Sequence, residues 1–171
     1  MAATKCSVLA ALAPWFAYER EVCGTHCTGR RLRVDAVLRP RESAGWKDAE
    51  PAFGVEFKLA GTKPFNDTKD FTHWAAQAAD YAHVKWDRYG YLRTFTCPSA
   101  TRYLVTDTPA PLADPARLIS RLLWEFGVGE LAQLDRHGWT LLGQGDHILW
   151  SETHGVHEAR RWSLTPKIGS R

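Results

Sequence analysis

The chain has 171 residues, of which 44% are hydrophobic and 24% are charged, so its composition is that of a folded protein and not of a disordered segment. This length fits one domain over residues 1–171 with a substantial core, and no repeat with a period of tens of residues recurs. The formal net charge of +3 argues against a dedicated, strongly basic nucleic-acid binder and gives a mild lean toward an acidic partner.

The N-terminal region opens with an apolar stretch that is too short to span a bilayer and that Lys5 interrupts. It fits a secretory signal poorly, so we expect a cytoplasmic protein with no membrane association. Apolar residues at helical spacing then predict a first helix from about Ser7 to Cys23: Leu9, Leu12, Phe16 and Cys23. Glu19 falls on this stripe and should face the sheet, unless it lies at the edge and pairs with an arginine.

Three of the four cysteines lie in the first 27 residues. Cys23, His26 and Cys27 offer three soft ligands for zinc, with Cys97 as a distant fourth. Structural zinc sites usually contain two spaced ligand pairs, and one cluster is present in this sequence. We therefore favour free cysteines in a helix end and its loop over a zinc site.

Two strands follow, each with strict alternation of side chains. Residues 30–39 place four apolar residues on one face, Leu32, Val34, Ala36 and Leu38, and the other face carries Arg31, Arg33, Asp35 and Val37. Residues 53–60 place Phe53, Val55, Phe57 and Leu59 on one face, and Gly54, Glu56, Lys58 and Ala60 on the other. A hairpin of these strands would set Asp35 beside Glu56 on a polar face.

The next predicted element is a helix that begins after the capping signal at residues 66–68 and runs to about Trp86. Gln77 and Tyr81 are four residues apart on it and therefore share a face. Further along, the patterns predict a strand at residues 102–106, a helix at residues 114–126 and a hairpin at residues 138–150 that turns near residues 143–146.

Two carboxylates on neighbouring strands, with a lysine two residues beyond the second, form a specific arrangement. Asp35 and Glu56 would repel each other unless a cation lies between them, and oxygen ligands suit Mg2+ or Mn2+. Such an ion polarises a phosphate and activates a bound water, while Lys58 orients that water or stabilises the transition state. The alternative is that the two acids form ordinary surface ion pairs with Arg31, Arg33 or Lys58.

These residues resemble the motifs of the PD-(D/E)xK nuclease superfamily. The matching segments are Val34-Asp35, then Glu56-Phe57-Lys58, then Gln77-Ala78-Ala79-Asp80-Tyr81, and the last is similar to the Gln-x-x-x-Tyr motif of RecB-like nucleases. The resemblance implies a restriction-endonuclease-like α/β (α+β) fold, in which a mixed central sheet is flanked by helices in the order αβββαβ. Val34 stands where many members have proline, and the sequence before the first strand lacks the histidine of the helicase-associated branch, so a RecB-type helicase partner is not expected.

The resemblance also implies a role for each matching residue. Implied metal ligands are Asp35, Glu56, the backbone carbonyl of Phe57 and a first-helix glutamate that matches Glu19, with Glu21 as the fallback. Lys58 would be the catalytic lysine, and Gln77 would position the metal-bound water or the phosphate. Tyr81 would contact the nucleic-acid backbone.

Three functions remain open from the sequence. The first is a Mg2+- or Mn2+-dependent enzyme that cleaves DNA, with RNA as an alternative substrate and with Arg31 and Arg33 holding phosphates. The second is a catalytically inactive nuclease fold that binds within a DNA-processing or mobile-element assembly, and the third is a zinc-bearing interaction module at Cys23, His26 and Cys27. The small size favours recognition of nucleic-acid shape, ends or a partner protein, and a homodimer is compatible with it.

Overall fold

The computed structural model describes residues 4–58, 76–98, 125–134, 136–143, 147–157 and 164. The strands and the helix within these ranges are α1 (Lys5–Leu12), β1 (Phe16–His26), β2 (Arg31–Pro40), β3 (Phe53–Lys58), β4 (Val84–Trp86), β5 (Gly90–Tyr91), β6 (Thr94–Pro98), β7 (Val128–Leu134), β8 (Gly138–Leu142), β9 (Ile148–Ser151) and β10 (Gly155–Val156). Residues 76–81 are also helical.

All ten described strands belong to one sheet, whose order is β10-β9-β8-β7-β6-β3-β2-β1-β4-β5. Strand β6 is parallel to both β3 and β7, and every other pairing is antiparallel. The prediction of a mixed α+β protein is therefore confirmed at this level. The sheet is larger and more antiparallel than the sequence suggested.

The predicted helix from Ser7 to Cys23 is wrong in its second half, because α1 ends at Leu12 and β1 begins at Phe16. Pro14 cannot continue the helix, since its ring removes the backbone donor that the next turn needs. The helical spacing arose by coincidence from two elements, one on each side of this break. Glu19 consequently lies on a strand, opposite Val37 of β2.

Helix α1 is fixed by an N-terminal capping box and by three buried side chains. Thr4 and Ser7 form a reciprocal capping box at its N-terminus, with the Ser7 amide donating to Thr4 Oγ1 at 3.1 Å. Val8, Leu9 and Leu12 are buried against the core beneath the helix. Each such side chain contributes about 1.5–3 kcal/mol relative to exposure.

Apolar residues cover both faces of the central strands. One cluster is built around Phe53, whose ring makes edge contacts with Phe16 at 5.4 Å and Phe95 at 5.1 Å. The other cluster joins Val22, Val34, Val37, Ala52, Tyr81, Val84, Trp86 and Leu92. The second face of the hairpin is therefore more apolar than the polar face that alternation predicted.

The predicted hairpin of residues 30–39 and 53–60 is confirmed for its described part, since β2 and β3 are antiparallel neighbours. The helix predicted to reach Trp86 instead leaves helical geometry after Tyr81, and β4 follows. Strand β4 pairs with the end of β1, where Gly24 permits the approach. A Cβ on Gly24 would lie 2.4 Å from Val84 Cγ1, so a larger residue would separate the two strands.

In the C-terminal half, the predicted hairpin is present as β8 and β9. The predicted strand at residues 102–106 lies outside the described residues, as does nearly all of the predicted helix at residues 114–126. Strands β6 and β7, which the sequence analysis missed, extend the sheet from β3 to this hairpin. Among the described residues, no helix is long and apolar enough to cross a membrane.

Candidate active site

The site is built where β2 and β3 stop pairing. Their register runs from Leu38–Phe53 to Ala36–Val55, and the next contact uses a side chain, because the Phe57 amide donates to Asp35 Oδ2 at 2.9 Å. A carboxylate therefore takes the place of a backbone acceptor. This contact puts Asp35 beside the strand segment that carries Glu56.

The backbone around Asp35 departs from regular alternation. Val34 and Val37 pack in the same cluster, whereas Ala36 and Leu38 pack in the other. On the neighbouring strand, Glu21 lies between the pairs that flank Asp35 and has a φ of +57°, a left-handed conformation that non-glycine residues seldom adopt. A conformation of this kind costs on the order of 1–3 kcal/mol and tends to occur at functional positions.

Asp35 has a protein partner at each carboxylate oxygen. Oδ2 accepts from the Phe57 amide, and Oδ1 lies 2.5 Å from Nζ of Lys5 on α1. The Asp35 side chain is 14% exposed and that of Lys5 is 46% exposed. Lys5 was missed as a site residue, although one signal was available: a basic residue in the first turn of a helix opposes the helix macrodipole.

Glu56 is nearly buried, with 9% exposure, and donors reach both of its carboxylate oxygens. Gln77 Nε2 donates to Oε1 at 3.2 Å, and the Tyr81 hydroxyl lies 3.2 Å from Oε2. Gln77 also donates to the Tyr81 hydroxyl at 2.8 Å, as expected of residues four apart in a helical segment. The helical segment thus holds the acid of β3 in place.

Tyr81 links three elements through a single hydroxyl group. The hydroxyl lies 3.0 Å from the Arg33 carbonyl of β2 and within reach of Glu56 of β3, so its one proton is donated to one of these acceptors at a time. Burial, and then the charge of Glu56, raise the pKa of Tyr81 well above its ordinary value. The residue therefore stays a protonated donor throughout the physiological range.

Glu19 makes its described contacts away from Asp35 and Glu56. Its carboxylate pairs with Arg88 and accepts from the Tyr89 hydroxyl at 2.8 Å. Burial, and then the neighbouring Glu19, raise the pKa of Tyr89. Pairing with an arginine was the alternative considered for Glu19, and it is the arrangement in the structure. A role for Glu19 as a metal ligand stays a prediction.

The two arginines predicted to hold phosphates are engaged in exposed ion pairs. Arg31 contacts both carboxylate oxygens of Asp87, at 3.1 and 2.6 Å, and Arg33 lies 2.8 Å from Glu21. The hydrogen bond between Arg31 and Asp87 lowers the pKa of Asp87 and raises the pKa of Arg31. A phosphate at either arginine would compete with a carboxylate already present.

Lys58 is the last residue of β3, opposite Pro98 of β6. Its side chain lies outside the described part of the chain, so the predicted catalytic lysine stays a prediction. The same holds for the predicted metal contact of the Phe57 carbonyl, since the contact seen at Phe57 is made by its amide.

The cysteine-rich end of β1 forms a different arrangement. His26 is buried, and its Nδ1 accepts from the Thr28 amide at 3.2 Å, which leaves Nε2 facing Asp80 at 4.0 Å. Cys27 is exposed, and its sulfur lies 3.8 Å from each ring nitrogen of His26. In the described ranges, no group of three or more histidine, cysteine, aspartate or glutamate side chains is arranged to hold a metal ion.

Comparison with known proteins adds no relative. No protein-family model matches the chain, and no curated protein or solved structure shows a significant similarity to it.

Proposed function

We propose that the chain is a divalent-metal-dependent nuclease that hydrolyses phosphodiester bonds in DNA, with Asp35 and Glu56 as metal ligands and Lys58 assisting the attacking water. One observation carries the proposal: the Asp35 carboxylate bonds to the amide that directly follows Glu56, at the point where the two strands separate. The Asp35 carboxylate therefore lies next to the segment of β3 that carries Glu56.

The donor set fits Mg2+ or Mn2+. Both acids have little exposure, and like charges in such a setting are relieved by a cation between them. Hard ions of this kind bind through one or two carboxylates and keep water or phosphate at their other positions. When bound, the ion would shield the charge of the phosphate and lower the pKa of a coordinated water.

The chain's own residues would then orient the reacting groups. Gln77 and Tyr81 fix the Glu56 carboxylate from one side, and a protonated Tyr81 keeps this role because its pKa is raised. The ammonium group of Lys58 would orient the attacking water or stabilise the charge that develops on the phosphate. Positioning residues of this type typically contribute factors of about 10–100 in activity or metal affinity.

The order of elements supports a restriction-endonuclease-like core. Helix α1 is followed by the antiparallel strands β1, β2 and β3, then by the helical residues 76–81, and then by β6 parallel to β3. This order corresponds to αβββαβ, with the short β4–β5 hairpin as an insertion that pairs with β1. We propose the fold assignment on this basis and on the motif resemblance.

A separate cleft, which Asp35, Glu56, Gln77 and Tyr81 do not line, has side chains that suit a phosphate backbone. It has a volume of about 770 Å3, and its lining includes Arg39, Arg41 and Arg88 together with Glu19 and Tyr89. Arginine side chains bind phosphates through paired hydrogen bonds, and tyrosine provides a surface for stacking. This lining is compatible with the phosphate backbone of DNA or of RNA.

A second candidate function is a catalytically inactive nuclease fold that serves as a binding component of a DNA-processing assembly. The observation that favours it is that both oxygens of Asp35 already have protein partners. Such a protein would bind nucleic acid without a divalent ion and would not cleave it.

Cleavage assays test the proposal. Supercoiled plasmid, linear duplex, single-stranded DNA and single-stranded RNA are incubated with Mg2+, Mn2+ or EDTA, and products are resolved on gels. We expect ion-dependent cleavage, which Asp35→Asn, Glu56→Gln and Lys58→Met each reduce by about 10²–10³-fold. Gln77→Ala should reduce it by about 10–100-fold.

Glu42→Gln is the matched control. Glu42 is an exposed acid in the loop after β2, so the substitution removes one negative charge outside the site. It should cleave like the wild type. Equal cleavage by the Asp35 and Glu56 variants would contradict the nuclease assignment. Ion-independent binding of DNA without cleavage would favour the inactive alternative.

A further inference from the structure

Lys5 is the unexpected member of the site. Its ammonium lies 2.5 Å from Asp35 Oδ1, although the two residues are thirty positions apart and lie on different elements. The contact joins the N-terminal helix to the acid that the nuclease proposal places at the metal. A cation from the chain itself therefore lies on a candidate metal ligand.

The backbone of Lys5 is fixed while its side chain retains access to water. The capping box at Thr4 and Ser7 defines the first turn of α1, and Val8 and Leu9 anchor the next residues in the core. The Lys5 side chain is 46% exposed, so its ammonium can leave Asp35 for solvent without unfolding the helix. The helix dipole does not hold it in place, because a positive charge near a helix N-terminus is unfavourable.

The two oxygens of Asp35 are not equivalent. Oδ2 is held by the amide of Phe57, which is a buried residue of the sheet, whereas Oδ1 is held by the partly exposed end of a lysine. A divalent ion that binds Asp35 would take Oδ1, because replacing the amide contact would leave a backbone donor without its acceptor. The ion and the Lys5 ammonium would then compete for one oxygen.

We propose that Lys5 is an internal counter-cation that occupies the metal position on Asp35, so that binding of a divalent ion requires release of the Lys5 ammonium. This inference rests on the proposed function, because it takes Asp35 as a metal ligand. Lys5 compensates the charge of Asp35 when the ion is absent, and it weakens ion binding because the ion must displace it. The divalent-ion concentration then sets which cation is bound.

The first measurement compares ion affinities by calorimetry with Mg2+ and Mn2+. Lys5→Met removes the competing charge and keeps the length of the side chain, so we expect the ion to bind up to about fivefold more tightly, as the strength of such an ion pair implies. Lys47→Met, which removes an exposed lysine in the loop before β3, is the control and should bind as the wild type does. Lys5→Gln provides a second uncharged variant in case Lys5→Met folds poorly.

The second measurement uses the wild-type protein and needs no variant. NMR signals of the lysine side chains are followed while Mg2+ is added, and we expect the Lys5 ammonium signal to move to the position of an exposed lysine as the ion binds. In Asp35→Asn, the Lys5 signal should start near that position and respond little to the ion.

The possible results separate the two proposals. Unchanged or weaker ion binding by both Lys5 variants, with binding intact in the wild type, would overturn the role of Lys5 and leave the nuclease proposal standing. Absence of divalent-ion binding in folded wild-type and variant proteins would overturn the metal-dependent function itself, and this inference with it.

Discussion

Two sets of residues in the sequence suggest metal binding, and they differ in the contacts that their side chains make in the fold. Asp35 of β2 contacts Lys5 of α1 and the backbone of β3, and Glu56 of β3 contacts Gln77 and Tyr81 of the helical residues 76–81. Around Cys23, His26 and Cys27, three neighbours in sequence do not form a ligand set within the described residues. The residues that are close in sequence do not form a ligand set in these ranges, whereas Asp35 contacts residues of distant segments.

Strand geometry explains the difference. Residues an odd number of positions apart in a strand point to opposite faces, so Cys23 and His26 of β1 diverge, and Cys27 lies in the turn that follows. Asp35 and Glu56 are on neighbouring strands at a break in pairing, where the Asp35 carboxylate takes the place of a backbone acceptor. Strand pairing therefore brings the Asp35 carboxylate next to the strand that carries Glu56, whereas alternation along β1 points Cys23 and His26 to opposite faces.

The largest expected effect is in thiol reactivity, which tests the cysteine side of this comparison. Cys97 is buried in β6, and burial raises its pKa from 9.0 to about 12, whereas Cys27 is exposed. Because the thiolate is the reactive form, iodoacetamide at pH 8 should modify Cys97 at least about a hundredfold more slowly than Cys27. Residue-resolved mass spectrometry measures both rates.

The same experiment tests for zinc. Cys27 should react at the same rate with and without a chelator. Protection of Cys27 that a chelator removes would show that the cysteine cluster binds metal after all and would end the contrast drawn above.

The second largest expected effect is on stability and tests the contacts around Glu56. Tyr81→Phe removes the hydroxyl that contacts Gln77, Arg33 and Glu56, and we expect a loss of about 1–3 kcal/mol in the free energy of unfolding, since buried partners are left unsatisfied. Denaturant unfolding followed by circular dichroism measures it. Tyr91→Phe, at a site 38% exposed, should change stability by less than about 0.5 kcal/mol. Equal effects of the two substitutions would mean that the Tyr81 network is not stabilising.

The smallest effect concerns the exposed pair of Arg31 and Asp87, which lies at the cysteine end of β1 and β2. The pair lowers the pKa of Asp87, so its stabilisation is present above the unfolded-state pKa of about 3.9 and is lost as the pH falls through the folded-state value. Arg31→Met should raise the pKa of Asp87 toward its ordinary value, as measured by carboxyl NMR titration. Arg136→Met, in the β7–β8 turn, should leave it unchanged, and so would Arg31→Met if the pair does not form in solution.

The sequence allowed prediction of the parts that depend on local patterns. Alternation predicted that Phe53, Val55 and Phe57 share a core face, and helical spacing predicted that Gln77 and Tyr81 would meet. Two alternating segments in succession predicted the hairpin whose antiparallel strands carry Asp35 and Glu56. Each of these predictions rests on the spacing of polar and apolar residues within one segment.

The rest depended on contacts between distant segments. Lys5 meets Asp35 because of how α1 packs, and local spacing carries no information about that packing. Glu19 was assigned to a helix because apolar residues on both sides of Pro14 happened to share one helical spacing. Strands β4 and β5 have three and two residues, which is too short for a periodic pattern to be detected.

The amide of Phe57 is a built-in spectroscopic probe of the site. Its hydrogen bond ends on a side-chain oxygen and not on a carbonyl, so its proton shift and its exchange with solvent depend on what else that carboxylate binds. One backbone resonance therefore reports when the cation at Asp35 changes. It would do so in the unmodified protein, without substrate and without turnover.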